Sequence, residues 1–222
     1  MNSSNSTNPL RVKDVLGGLP ETACFTPFGI IDLLNPKESD VDFAFIAQAL
    51  SRIPRFNGLT GHYGTYSVAQ HCVIGADAIH VATKDKELAL RFLLHDAHEA
   101  FLSDIPRPVQ KCFGSDFSEQ LEALKSKWDE VIYRKFGLKP PSLSDKKDPI
   151  HVMDDLMLAY EFQRFFPQHL KQWPDNEIII SPIEKFNEPI VADTIRGGLE
   201  EAWAEEEAVL LFLDRECFFE SA

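Results

Sequence analysis

His95 and Asp96 stand side by side, with His71 upstream, Glu99 one helical turn on and Asp154 downstream. Two imidazoles and two carboxylates form a donor set for one divalent metal, and a spare carboxylate beside them can move a proton. Nitrogen and carboxylate oxygen together suit Zn, Mn, Co or Fe, and four protein ligands on a six-coordinate ion leave places for water and a phosphoryl oxygen. A bound ion can lower the pKa of its water to about 7, which makes a nucleophile at neutral pH. Glu99 could position that water or protonate a leaving group. The chemistry this predicts is metal-dependent hydrolysis.

The setting strengthens the reading. Leu93-Leu94-His95-Asp96-Ala97 puts two ionisable groups at the end of an apolar stretch, where unpaired charge is costly. His98 follows His95 by three residues, not by the four of H-E-x-x-H, and it falls outside the ligand set. His62, His80, His151 and His169 read as solvated or structural.

Helices must position these groups. Residues 20–36 suit a short extended segment or hairpin, and Val41 to Ile53 has helical apolar spacing after Ser39 and Asp40 as caps. Pro54 to Tyr66 reads as a flexible, substrate-facing loop. Ser67 and Gln70 form an S-x-x-Q box that opens the helix carrying His71. Lys84 to Leu102 reads as one helix with His95, Asp96 and Glu99 near one face, ended by a tight turn at Asp104 to Pro108. Ser118 to Phe136 is a packing helix stopped by Gly137, and Ile150 to Phe166 carries Asp154 and Glu161. Pro167 to Pro189 reads as irregular with a short extended piece at Ile178 to Ile180, and Ile190 to Phe218 as one amphipathic helix with Leu210, Leu211 and Leu213 on its apolar side.

At 222 residues, 44% of them hydrophobic, the chain suits one sizeable core: a polar tail over 1–10 and a single domain over 11–222. The formal charge of −13 argues against a partner that is a nucleic-acid polymer. Cys24, Cys72, Cys112 and Cys217 form no CxxC pair, so free thiols are expected rather than a zinc knuckle or disulfide framework. No apolar run approaches a membrane span and the first residues carry no hydrophobic leader, so a cytoplasmic protein without membrane contact is expected.

Three stretches, Tyr66–His71 (YSVAQH), Leu93–Ala100 (LLHDAHEA) and Ser103–Lys111 (SDIPRPVQK), resemble the HD-domain phosphohydrolases, in particular the small branch of 5′-deoxynucleotidases and phage dATP triphosphohydrolases. The likeness spans about residues 43 to 165 and implies an all-α, mainly helical fold, a bundle around a metal site. It implies one divalent ion (Co, Zn, Mn or Mg) on His71, His95, Asp96 and Asp154, with Asp155 as the fallback ligand. Asp154 is preferred because the family's late Asp precedes a Glu by seven residues, as Asp154 precedes Glu161. By the same resemblance Glu99 is the catalytic acid or base and Asp104 meets the sugar hydroxyl. Arg55 and Phe56 stand where an Arg-aromatic pair contacts phosphate and base. Pro108 sits in the P-x-K position, where Lys111 comes one place late and Arg107 could substitute. The expected partner is a deoxynucleotide, mono- or triphosphate, and the expected state a homo-oligomer; the alternative is a non-catalytic module that binds metal or nucleotide.

Overall fold

The computed structural model describes residues 17–142, 145, 147–170 and 181–221. The tail expected over 1–10 and the extended piece expected at Ile178 to Ile180 lie outside the described residues. The chain divides into two compact units, Met1–Pro36 and Lys37–Ala222. In the first, β1 (Ala23–Thr26) pairs antiparallel with β2 (Gly29–Asp32), Thr26 opposite Gly29, so the hairpin expected there forms.

The second unit is mainly α. Its first helix, α1 (Phe43–Arg52), starts at Asp42, whose carboxylate accepts from the Phe45 amide at 2.8 Å; the cap is Asp42 and not Ser39 or Asp40, which sit in a preceding 3-10 turn. Residues 54–66 form a loop whose base is closed by bonds from the Arg55 amide to Tyr66 and from the Val68 amide to Ile53, both 2.9 Å. α2 (Val68–Thr83) opens on Ser67, which accepts from the Gln70 amide at 3.2 Å. The second half of the expected capping box is absent. The Gln70 amide group instead donates to the carbonyls of Gly198 and Glu201 and accepts from the Trp203 amide.

α2 is buried nearly all round, as a helix at the centre of a bundle must be, and it packs against α1 and several of the helices that follow. Lys84, in the left-handed region at φ 60°, turns the chain into α3 (Lys86–Leu93), capped by Asp85. A methyl on Gly75 of α2 would collide with the Phe92 ring of α3, so glycine there permits the close approach of the two helices.

The single helix expected from Lys84 to Leu102 is broken in two. Residues 94–98 form tight turns, in which the His95 amide bonds to Phe92, that of Ala97 to Leu94 and that of Glu99 to Asp96, before α4 (Glu99–Leu102). Pro106 does not close a simple turn either. Pro108, with no amide hydrogen to lose, fits the first turn of a short helix, α5 (Arg107–Cys112). α6 (Ser115–Lys135) begins three residues earlier than expected and ends before Gly137, at φ 66°. α7 (Pro149–Phe165) is capped by Asp148, and the short α8 (Pro167–Leu170) follows.

The expected C-terminal helix is also two, α9 (Pro189–Gly198) and α10 (Glu205–Glu220). Carbonyls of the 199–204 break are taken by side chains from elsewhere, Leu199 and Glu200 by Arg164 and Glu201 by Gln70, which stabilises the interruption. In α10 the buried face is Ala208, Phe212 and Phe219; Leu210, expected on the apolar side, is 67% exposed. Among the described residues no helix is long and apolar enough to cross a membrane.

Candidate metal centre

α2 contributes His71, the turn after α3 contributes His95 and Asp96, and α7 contributes Asp154. Their ligand atoms converge. His71 Nε2 lies 3.3 Å from His95 Nε2, 3.3 Å from Asp154 Oδ1 and 3.9 Å from Asp96 Oδ2. His95 Nε2 lies 3.3 Å from Asp96 Oδ2 and 3.8 Å from Asp154 Oδ1. Asp155 is exposed and Asp154 faces the histidines, so geometry separates the two.

The outer nitrogens fix the tautomers. His71 Nδ1 is 2.6 Å from Glu161 Oε1, and His95 Nδ1 is 2.6 Å from the Phe92 carbonyl. Both partners accept hydrogen bonds, so each Nδ1 carries the hydrogen and each Nε2 presents a lone pair to the centre. Two lone pairs and two carboxylates crowded at such distances repel unless a proton or a cation sits among them. The donor set and spacing fit a divalent ion.

The shifts in proton affinity report the same crowding. Burial raises the Asp154 carboxyl, but the His71 and His95 imidazoles against it outweigh burial and hold it well below the usual range. Asp96 is likewise held down, by His95 against its burial. Burial works against a charged His95, yet Asp96 and Asp154 raise its pKa well above the ordinary value. A divalent ion bound here would have to displace a proton from His95.

A layer of buried partners holds the ligands. Glu161 is fully buried and accepts from His71, from the Tyr66 hydroxyl at 2.7 Å and from Arg55 Nη2 at 3.0 Å. Arg55 also reaches Asp96 Oδ2 at 3.5 Å. Burial opposes the Arg55 charge, but Glu161, Asp154 and Asp96 outweigh it and fix the guanidinium as a cation. Arg55, expected on phosphate, is thus occupied with protein carboxylates. Phe56, expected on the base, sits at φ 55° in an aromatic cluster with Phe162, Phe165 and Phe166.

Glu99 is buried beside Asp96; burial first, then Asp96 and Asp104, push its pKa well above the carboxylate range. Asp104 is half-buried, and burial raises it too. A cleft of about 410 Å³ opens on His95, Asp96 and Asp154 and is walled by Arg107 and Lys111 of α5, Lys125 and Asp129 of α6, and His151 of α7. Arg107 and Lys111 thus reach the same cleft, and Pro108 lies exposed in the first turn of the helix that carries them.

Sequence reasoning did not foresee the roles of Glu161, Tyr66, Asp129 or Lys125. The seven-residue step from Asp154 to Glu161 was the one available signal, because two helical turns put both groups on the same face.

No protein-family model matches the chain. It is 36% identical over 124 residues to the uncharacterized protein YfdR of Escherichia coli, a match covering 56% of this chain and 61% of that protein. It is 32% identical over 136 residues to the uncharacterized protein RCAP_rcc00048 of Rhodobacter capsulatus, covering 60% of this chain and 67% of that protein. The match therefore spans less than two thirds of the length of YfdR. At that identity and coverage, the chain belongs to the same protein family as RCAP_rcc00048.

Proposed function

We propose that this chain is a metal-dependent phosphohydrolase of the HD type that acts on deoxynucleotides, releasing phosphate from a monophosphate or triphosphate from a triphosphate. The observation that carries the reading is the convergence of two imidazole lone pairs and two carboxylates on a cleft that also holds Arg107, Lys111 and Lys125. His71, His95, Asp96 and Asp154 would hold one divalent ion, Co, Zn, Mn or Mg. When bound, that ion supplies Lewis-acid polarisation of a phosphoryl oxygen and lowers the pKa of water.

The protein's own groups do the rest. Arg107, Lys111 and Lys125 hold the phosphate oxygens in the cleft and orient phosphorus toward the ligand cluster. Glu99 takes a proton from the attacking water and returns one to the leaving oxygen as the P–O bond breaks, a role suited to a carboxyl whose pKa is held high. Asp104 accepts a hydrogen bond from the sugar hydroxyl. Arg55 acts through Asp96 and Glu161, keeping both ionised and in place. The same reading places the protein in the cytoplasm as a homo-oligomer; four unpaired cysteines suit a reducing compartment.

The test is a panel of deoxynucleoside mono- and triphosphates with added Mn, Co, Zn or Mg, products resolved by chromatography. Nucleoside is expected from one class, and Glu99→Gln should lower its formation by at least ~100-fold while the ion on the His71 centre stays bound. Turnover unchanged in Glu99→Gln would overturn its role. No product with any metal would leave the non-catalytic binding module.

A further inference from the structure

A second group of ligand atoms also includes Asp96. Ligand atoms of Asp96, His98 and Glu99 fall within 4.8 Å of one another. His98 is 6% exposed and Glu99 7%. His98 Nδ1 is 2.9 Å from Asp129 Oδ1, so it carries the hydrogen and donates to that carboxylate, which leaves Nε2 as a lone pair. His98 Nε2 and Glu99 Oε2 are both buried, and neither has a hydrogen-bond partner among the described residues.

Buried polar atoms left without a partner or a cation are costly. One imidazole backed by a carboxylate, beside two further carboxylates, is the arrangement found around catalytic divalent ions. We propose that Asp96, His98 and Glu99 hold a second divalent cation, with Asp96 shared between it and the His71 centre. The cleft is lined by both Asp96 and His98, which gives the ion a path of entry. Asp96 would be the ligand common to both ions, and a second ion there would supply further Lewis-acid stabilisation of charge in the cleft. Glu99 would use Oε2 for the ion and keep its other oxygen for the proton. The inference rests on the metal-binding part of the reading above and not on hydrolysis.

The experiment loads full-length protein with excess Mn²⁺, removes free ion by gel filtration, and measures Mn per chain by mass spectrometry together with the electron paramagnetic resonance spectrum. Two ions per chain with an exchange-coupled spectrum are expected, falling to one uncoupled ion in His98→Gln; Asp154→Asn should lose the other. Asp129→Asn removes the carboxylate behind His98 without touching any ligand, and should weaken the second ion by about 10–100-fold while the first is retained, which covers the case where His98→Gln does not fold. One ion in the wild type, lost in Asp154→Asn and kept in His98→Gln, would overturn the second site and leave the first standing. Two ions unchanged in both His98→Gln and Asp129→Asn would place the second elsewhere and also overturn it. No ion at all would overturn both centres.

Discussion

At the scale of single residues, the behaviour of the centre turns on what stands behind each ligand. Glu161 receives hydrogen bonds from His71, Tyr66 and Arg55, and the Arg55 charge together with the His71 and Tyr66 hydrogen bonds holds its carboxyl below the usual value against its burial. Its carboxylate fixes the His71 ring and aims its Nε2, so Glu161→Gln should weaken metal binding by about 10–100-fold in calorimetric titration. Unchanged affinity would mean that the carboxylate serves packing alone.

The pH dependence of binding has a definite sign. His95 is the ligand whose pKa is raised, by Asp96 and Asp154 against its burial, while Asp96 and Asp154 are already ionised over the working range. Binding must expel the His95 proton, so affinity should fall as pH drops, with proton release detectable by titration in buffers of different ionisation enthalpy. His71, His95, Asp96 and Glu99 were legible in the sequence because their spacing is short and their types are few. Asp129 was not, since it joins His98 across 31 residues and nothing local marks it.

Among the elements, the contact between α2 and α3 decides whether His71 and His95 meet. Gly75 is where the helices touch, and Gly75→Ala should cost about 1–3 kcal/mol in denaturant unfolding and lower metal affinity with it, because the added methyl pushes Phe92 and its neighbour His95 away. Stability and affinity that both stay at wild-type values would show that the two helices can part without disturbing the site.

Most helices were readable from apolar spacing, and the interruptions were not. The break at 94–98 is stabilised by backbone turns and by the His95 ring on the Phe92 carbonyl, and the break at 199–204 by Gln70 and Arg164 reaching from other helices. Local periodicity carries no trace of partners that far away. The break at 94–98 nonetheless bears on function: it turns His95 and Asp96 toward His71 and Asp154 in place of spreading them along a helix face.

For the whole molecule, a charge of −13 sets a field that repels anions, and the cleft mixes Arg107, Lys111 and Lys125 with the carboxylates of Asp96, Glu122, Asp129 and Asp154. On the proposed function, a phosphorylated ligand would be held by those three cations and the bound ion against the overall field. Because an ion on His71, His95, Asp96 and Asp154 joins α2, the turn after α3, and α7, it should stabilise the fold by mass action, about 2.7 kcal/mol at a hundredfold excess over its dissociation constant. A melting temperature that rises with Mn in the wild type and not in Asp154→Asn is the expected result; equal responses would point to an ion bound elsewhere. The mainly helical fold and the hairpin ahead of it followed from the sequence, while the division into two compact units at Pro36 did not.

The most direct test of the account is release of phosphate or triphosphate from deoxynucleotides by protein first stripped of metal with a chelator and then titrated with Mn²⁺ or Co²⁺. The stripped protein should show no turnover, activity should recover in step with bound metal, and His95→Ala should show none. Hydrolysis that persists without metal, or survives His95→Ala, would contradict the account.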